Sequence, residues 1–224
     1  MTGRLNGAGL ARTLAARHLA AMDSSRFNAE AIGRALGAGP PAASSDYDLN
    51  PEVACRLDPG RKLAPAAVLV PLVERGSRVN VILTRRASGL RRHGGQVAFP
   101  GGRVDAGDAS LAAAALREAR EEIGLPPEKV ELIGRLDPHE TVTNFSVTPF
   151  VGRVTGLFRP HPDPAEVAEV FEVPLDFLLD PANLHVHRRR WQGGWRRYYA
   201  IPYGPHYIWG ATARMLKALA DRLA

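Results

Sequence analysis

Residues 66–73 run apolar without interruption, and residues 79–84 (Val-Asn-Val-Ile-Leu-Thr) form a second, β-branched stretch. Between them Glu74-Arg75-Gly76-Ser77-Arg78 is polar around a glycine. Two strand-sized apolar runs joined by a turn signal predict a β-hairpin. Residues 94–100 predict a short glycine-bounded strand, and residues 130–136 and 146–154 two more. Residues 184–191 and 195–201 flank Gln192-Gly193-Gly194 and predict a second hairpin. Over residues 108–123 the period changes. Leu111, Ala115, Ala119 and Ile123 recur every four positions, an apolar stripe that suits a helix packed on a sheet. Residues 209–224 predict a C-terminal helix. Near the N-terminus, Leu10, Leu14, Leu19 and Met22 mark a short helix over 10–22, and residues 28–36 a second one closed by Gly37. Residues 39–45, Gly-Pro-Pro-Ala-Ala-Ser-Ser, have the composition of a linker. Strands, one central helix and a terminal helix make an α+β domain or an α/β/α sandwich over residues 63–224. Residues 1–62 read as a helical extension and linker.

Composition narrows the class. Of 224 residues, 45% are hydrophobic and 23% charged, a globular balance with one core and no global disorder. The longest uncharged apolar run, residues 63–73, contains two prolines and falls far short of the ~20 residues of a spanning helix. The single cysteine, Cys55, excludes an internal disulfide and a cysteine-built zinc site, which fits a reducing compartment, and it reads as an ordinary buried thiol. The net charge is +6, and 26 of the 29 basic residues are arginine. Arginine grips phosphate with a planar fork of donors, so a polyanionic partner is one reading. A GC-rich genome, which also explains the abundant alanine, is the other. The expected location is a bacterial-type cytoplasm. The acid-free, arginine-bearing first 22 residues leave mitochondrial targeting open.

Chemistry concentrates in Gly101-Gly102-Arg103-Val104-Asp105-Ala106-Gly107-Asp108 and the helix behind it, which ends Arg117-Glu118-Ala119-Arg120-Glu121-Glu122-Ile123-Gly124-Leu125. Glu118 and Glu122 are four apart and Glu121 three from Glu118, so the three carboxylates can share one patch. Arg117 can pair with Glu121, leaving Glu118 and Glu122 uncompensated. A hard divalent cation such as Mg²⁺ would turn that repulsion into a site; a solvated acidic face is the alternative. Gly101 and Gly102 permit close approach of backbone to ligand. Asp108 is expected to cap the helix.

The stretch 102–125 resembles the box of the Nudix hydrolases: Gly, five residues, Glu, seven residues, then Arg-Glu-apolar-any-Glu-Glu-any-Gly-apolar. Arg117, Glu118, Ala119, Glu121, Glu122, Gly124 and Leu125 match the second half. The first half departs, with Asp108 in place of Glu and eight residues before Arg117. Upstream, residues 82–102 (Ile-Leu-Thr-Arg-Arg-Ala-Ser-Gly-Leu-Arg-Arg-His-Gly-Gly-Gln-Val-Ala-Phe-Pro-Gly-Gly) resemble the motif that marks the coenzyme A diphosphatase branch. The likeness extends to residues 147–149, 166–167 and 208–213, and so covers the chain from about residue 64 to its end.

This resemblance implies a Nudix fold, a mixed sheet between helices. It implies Mg²⁺- or Mn²⁺-dependent cleavage of the pyrophosphate of coenzyme A, or an acyl or oxidised form of it, to 3′,5′-ADP and 4′-phosphopantetheine. Glu118, Glu121 and Glu122 would hold the metal, with Arg117 orienting them. Arg86, Arg91, Gly101 and Gly102 would meet the substrate. The general base is one of the three glutamates or a loop residue such as Glu140 or Glu166. Other nucleoside diphosphate substrates, ADP-ribose or a dinucleotide polyphosphate, are the rival within the family. The expected partner is a small molecule, with neither a membrane nor a nucleic acid; a homodimer stays open. The rival of another class is RNA binding by the basic, aromatic stretch 188–199, against a plain hairpin whose tryptophans pack on each other or on the core. His139, after Asp137-Pro138, reads as part of a turn. His161 and His206 read as packing or capping residues.

Overall fold

A computed structural model describes residues 28–38, 42–90, 93–191 and 193–224. In chain order its first elements are α1 (Ala29–Ala38), β1 (Ser44–Ser45), α2 (Pro51–Ala54), β2 (Ala64–Arg75), β3 (Arg78–Arg86), β4 (Val97–Ala98), β5 (Gly101–Arg103) and α3 (Leu111–Ile123). Then come β6 (Val130–Arg135), β7 (His139–Glu140), β8 (Phe145–Val154), β9 (Val167–Pro174), α4 (Leu175–Leu179), β10 (His185–Trp191), β11 (Gly194–Tyr203), β12 (His206–Trp209) and α5 (Ala211–Leu223).

The hairpin expected from the two apolar runs is β2–β3, with Leu72 opposite Val81 and Arg75 opposite Arg78. β2 is central. It pairs in parallel with β8 from Ala64–Phe145 to Leu72–Arg153, and antiparallel with β5 through Ala66–Arg103 and Val68–Gly101. β3 carries β9 and β4, β8 carries β6 and β7, and β7 carries β1, so the sheet is mixed. Successive β2 residues feed opposite faces of it. Ala67, Leu69 and Val73, with Ile82, pack against Ala115, Ala119 and Ile123 of α3. Ala66, Val70 and Leu72, with Leu83, face a core with Ile32 and Leu36 of α1, Leu175 of α4 and Leu216 of α5. A strand covered on both sides needs apolar residues at every position, hence the unbroken run at 66–73. This is the α/β/α layering expected. The antiparallel β10–β11–β12 sheet stands beside it.

Several local expectations are corrected. The strand expected over 94–100 shrinks to β4, because His93 and Gly95 adopt positive φ (61° and 74°) and close a turn. Gly37 stays inside α1 instead of ending it, and Asn28 caps its start by accepting from Ala31 N at 2.8 Å. The linker ends in a strand: β1 pairs with β7, and Ser44 Oγ meets Nδ1 of the fully buried His139 at 2.9 Å. Asp46 lies 3.2 Å from Nε2 of the same ring, so His139 is a tether for this segment and no turn residue. Cys55 is exposed, not buried. The helix expected over 10–22 lies outside the described residues.

Candidate active site

Alanines at 114, 115 and 119 let α3 lie close on the sheet and fix which of its faces points away. Ser110 begins the helix, its side chain accepting from Ala113 N at 3.1 Å. Asp108 is therefore not the cap. Ser110 is closer to the first helical turn, and Asp108 does other work. It accepts from Asp105 N at 2.8 Å and takes a two-pronged ion pair from Arg117, Nε to Oδ1 at 2.9 Å and Nη2 to Oδ2 at 3.0 Å. Arg117 and the Asp105 N–H hold the Asp108 carboxyl below its ordinary range. Arg117 also donates to Glu118 (3.0 Å), Glu121 (2.9 Å) and the carbonyl of Arg103 (3.1 Å). It clamps the loop to the helix and compensates Glu118 as well as Glu121, contrary to the expectation that Glu118 is left unpaired.

Glu122 points inward, only 2% exposed. Arg86 Nη1 and Gly101 N each donate to it, at 3.3 Å. Glu122 thus has a partner too. Burial pushes its pKa up to about 7; Arg86 and the Gly101 N–H oppose that, while the charges of Glu118 and Glu166 add to it. Glu118 is raised as well, first by burial and then by the Glu121 and Glu166 charges, against the pull of Arg117. Charges that raise a buried carboxyl stand close to it.

The two glycines make this convergence possible. Gly101 has φ +154°, and a Cβ on it would lie 2.5 Å from Ala67 O. A Cβ on Gly102 would lie 2.5 Å from Glu118 Oε1. Only bare backbone fits between β2 and the carboxylates. The loop carrying Glu166 is stitched to the same place: Asp163 N donates to Glu122 O at 3.0 Å, and Glu166 O accepts from Ala87 N at 2.8 Å, next to Arg86.

Glu118, Glu122, Arg117, Arg86, Gly101 and Gly102 therefore meet. Glu121 sits at the rim, 58% exposed and paired with Arg117. The charge of the exposed Glu166 reaches Glu118 and Glu122; Glu140 of β7 is instead paired with Arg61. Arg91 lies outside the described residues. Arg85, next to Arg86, bonds Glu169 at 3.0 Å. Among the described residues no three His, Cys, Asp or Glu side chains form a preassembled metal-holding group. The donor chemistry still fits a hard divalent cation. The neighbouring carboxylate charges disfavour ionisation of Glu118 and Glu122, and a cation beside them would reverse the sign of that interaction. Arg86 Nε is buried with no hydrogen-bond partner, a donor left over for an anion. The arrangement can bind a cation and a phosphate side by side.

The NUDIX domain family matches residues 62–191. A protein named uncharacterized Nudix hydrolase NudL from Citrobacter koseri is 48% identical, over 69% of this chain and 80% of its own length. Its namesake from Cronobacter sakazakii is 49% identical over the same shares. The NUDIX domain of Shewanella oneidensis NrtR, solved in complex with ADP ribose, is 16% identical and covers 78% of this chain and 99% of its own, with a TM-score of 0.48. By the family match and the identity to these relatives, the chain belongs to the Nudix hydrolase family.

Proposed function

We propose that this chain hydrolyses the pyrophosphate bond of coenzyme A, or of an acyl or oxidised form of it, to 3′,5′-ADP and 4′-phosphopantetheine. One observation carries the reading. The segment 82–102 resembles the coenzyme A diphosphatase motif, and both ends of that segment converge on one carboxylate: Arg86 and Gly101 each bond Glu122 at 3.3 Å. A motif tied to a substrate thus borders the acids of the box.

Glu118 and Glu122, with Glu121 at the rim, are the residues that would hold Mg²⁺ or Mn²⁺. When bound, such an ion supplies charge neutralisation on the phosphoryl oxygens and a more acidic water. The rest falls to the chain. Arg86, whose side chain is 25% exposed, adds positive charge where negative charge accumulates on the pyrophosphate. Arg117 holds Glu118 and Glu121 in register with the loop at 103–108. Gly101 and Gly102 let the substrate approach the backbone. Glu166, beside Glu118 and Glu122 and outside the helix, is the base we favour over Glu140, which Arg61 engages elsewhere.

The test is hydrolysis of coenzyme A with Mg²⁺ or Mn²⁺, products resolved by chromatography, beside ADP-ribose and a dinucleoside polyphosphate. Coenzyme A is expected to show the highest kcat/KM, releasing 3′,5′-ADP. Preference for either competitor by tenfold or more overturns the assignment.

A further inference from the structure

The β10–β11–β12 sheet has no part in the chemistry above, and its composition is unusual. From residue 181 to 220 the chain contains no acidic residue, while five arginines fall in the hairpin: Arg188, Arg189, Arg190, Arg196 and Arg197. Register sets their faces. His187 lies opposite Tyr198, Arg189 opposite Arg196, and Trp209 opposite Ala200, and directly opposed residues share a face.

That face is paved with rings. His187 stacks on Tyr207 with centroids 5.9 Å apart and planes 22° from parallel, and on His185 at 6.0 Å. Tyr198 meets Trp209 edge-on at 5.2 Å, and the Arg189 guanidinium lies 4.4 Å from the Trp209 ring. On the opposite face, near the hairpin turn, Arg188 lies 4.8 Å over Trp195, which is 57% exposed. Trp195 therefore does not pack on the core, one of the two placements expected for the tryptophans. Among the described residues Arg188, Arg190, Arg196 and Arg197 make no salt bridge. An open depression of about 430 Å³ runs between Val186, His187, Arg188, Arg197 and Tyr198.

We propose that this sheet binds single-stranded RNA. Exposed rings offer stacking surfaces to unpaired bases, and arginines beside them take the phosphates. The tips of His187, Tyr198 and Tyr207 are polar; His187 Nδ1 and Tyr207 Oη already bond at 2.7 Å, and such groups suit a ribose hydroxyl. A second copy of the chain is a poor occupant, since it would set arginines against arginines with no acid on either sheet. The seven residues of β10 extend about 23 Å, so a few nucleotides suffice to cover the sheet.

The experiment is fluorescence anisotropy of the full chain with a labelled single-stranded RNA of about 12 nucleotides in EDTA. A Kd of roughly 1–100 µM at about 100 mM salt is expected, with log K falling against log salt at a slope of about −2 to −4, the release from three to five phosphates. Arg189→Glu with Arg196→Glu, an opposed pair on the ring-bearing face, should weaken binding at least tenfold and flatten the slope. Tyr207→Ala, removing a 39% exposed ring of that face, should weaken it about fivefold or more. Both variants should keep hydrolase activity, which shows that they fold. No binding at about 50 mM salt overturns the proposal, as does unchanged binding in both variants. Equal affinity for the matching single-stranded DNA overturns the choice of RNA. Binding to phosphatidylglycerol–phosphatidylcholine vesicles without RNA binding assigns the face to a lipid surface instead, and also overturns it.

Discussion

Glu122→Gln separates the requirements of folding from those of function. In the metal-free protein Glu122 is an acid held at 2% exposure, its pKa pushed from the ordinary 4.5 to about 7. A folded-state pKa above the unfolded one means that folding favours the protonated form. The contribution of Glu122 to stability is then most favourable below pH ~4.5, falls as pH rises toward 7, and levels off above it. The displacement corresponds to roughly 3 kcal/mol at full ionisation. Glutamine has nearly the same shape, stays neutral, and can still accept from Arg86 or Gly101 N. It leaves the Arg86 guanidinium without its anion, but that side chain is 25% exposed, so water offsets part of the loss, on the order of 1 kcal/mol. Glu122→Gln should therefore be more stable than wild type by about 1–3 kcal/mol at pH 8 in EDTA, a Tm higher by several degrees. Below pH ~5 the difference should vanish. Calorimetry of both proteins from pH 5 to 8.5, with and without Mg²⁺, reads this directly. Mg²⁺ should raise the wild-type Tm and leave the variant nearly unmoved, and the variant should hydrolyse no substrate. A variant less stable than wild type at pH 8 in EDTA, or a difference independent of pH, would refute the reasoning.

Other substitutions probe the rest of the site and the frame. Gly102→Ala puts a methyl group where Glu118 Oε1 lies 2.5 Å away; kcat should fall at least tenfold while circular dichroism stays unchanged, since the carboxylate end can swing aside. Arg117→Ala removes the partner of Asp108, Glu118 and Glu121 together, and should cost about 1–3 kcal/mol in urea unfolding as well as most of the activity. His139→Ala leaves a cavity and strips Ser44 and Asp46 of a common partner; a loss of about 2–4 kcal/mol is expected, with KM little changed because the ring lies outside the catalytic cluster. Cys55 is exposed, so a thiol reagent should titrate one equivalent from the native protein as fast as from the unfolded chain.

What the sequence shows well is what depends on near neighbours. The β2–β3 hairpin, the α3 stripe and the β10–β11 hairpin each rest on periodicity plus a turn, and each stands within a few residues of the expected bounds. β9 carries only a weak pattern: Val167, Glu169, Phe171 and Val173 alternate with their neighbours in burial only loosely, because the strand lies beside β3 and faces ion pairs from Arg75 and Arg85 as well as the core. Partners far apart in the chain were not legible. Nothing local says that Ser44 would meet His139, 95 residues on, or that two serines in a Pro/Ala stretch would complete a sheet edge.

The same divide runs through the active site. Glu118, Glu121 and Glu122 look equivalent in sequence, three acids within five residues, and helical spacing alone cannot rank them. Tertiary packing does. Position 122 falls on the buried side beside Ile123 and faces Gly101, while position 121 falls on the side of Arg117 and solvent. One carboxylate is thereby left without water and the other keeps it, although both belong to the same helix turn. The inequality also explains why Arg117 and Arg86 are not interchangeable. Arg117 serves the rim and the loop, with four carboxylates within 3.6 Å or less. Arg86 serves the interior, with a single carboxylate and a spare donor. Arg86→Lys should discriminate between these roles. A lysine can neutralise Glu122 but cannot offer a second N–H from a fixed plane, so Tm should hold within about 2 °C while KM for the pyrophosphate substrate rises several-fold. A fall in Tm with KM unchanged would make Arg86 a structural counter-ion only, and would remove it from the proposed phosphate site.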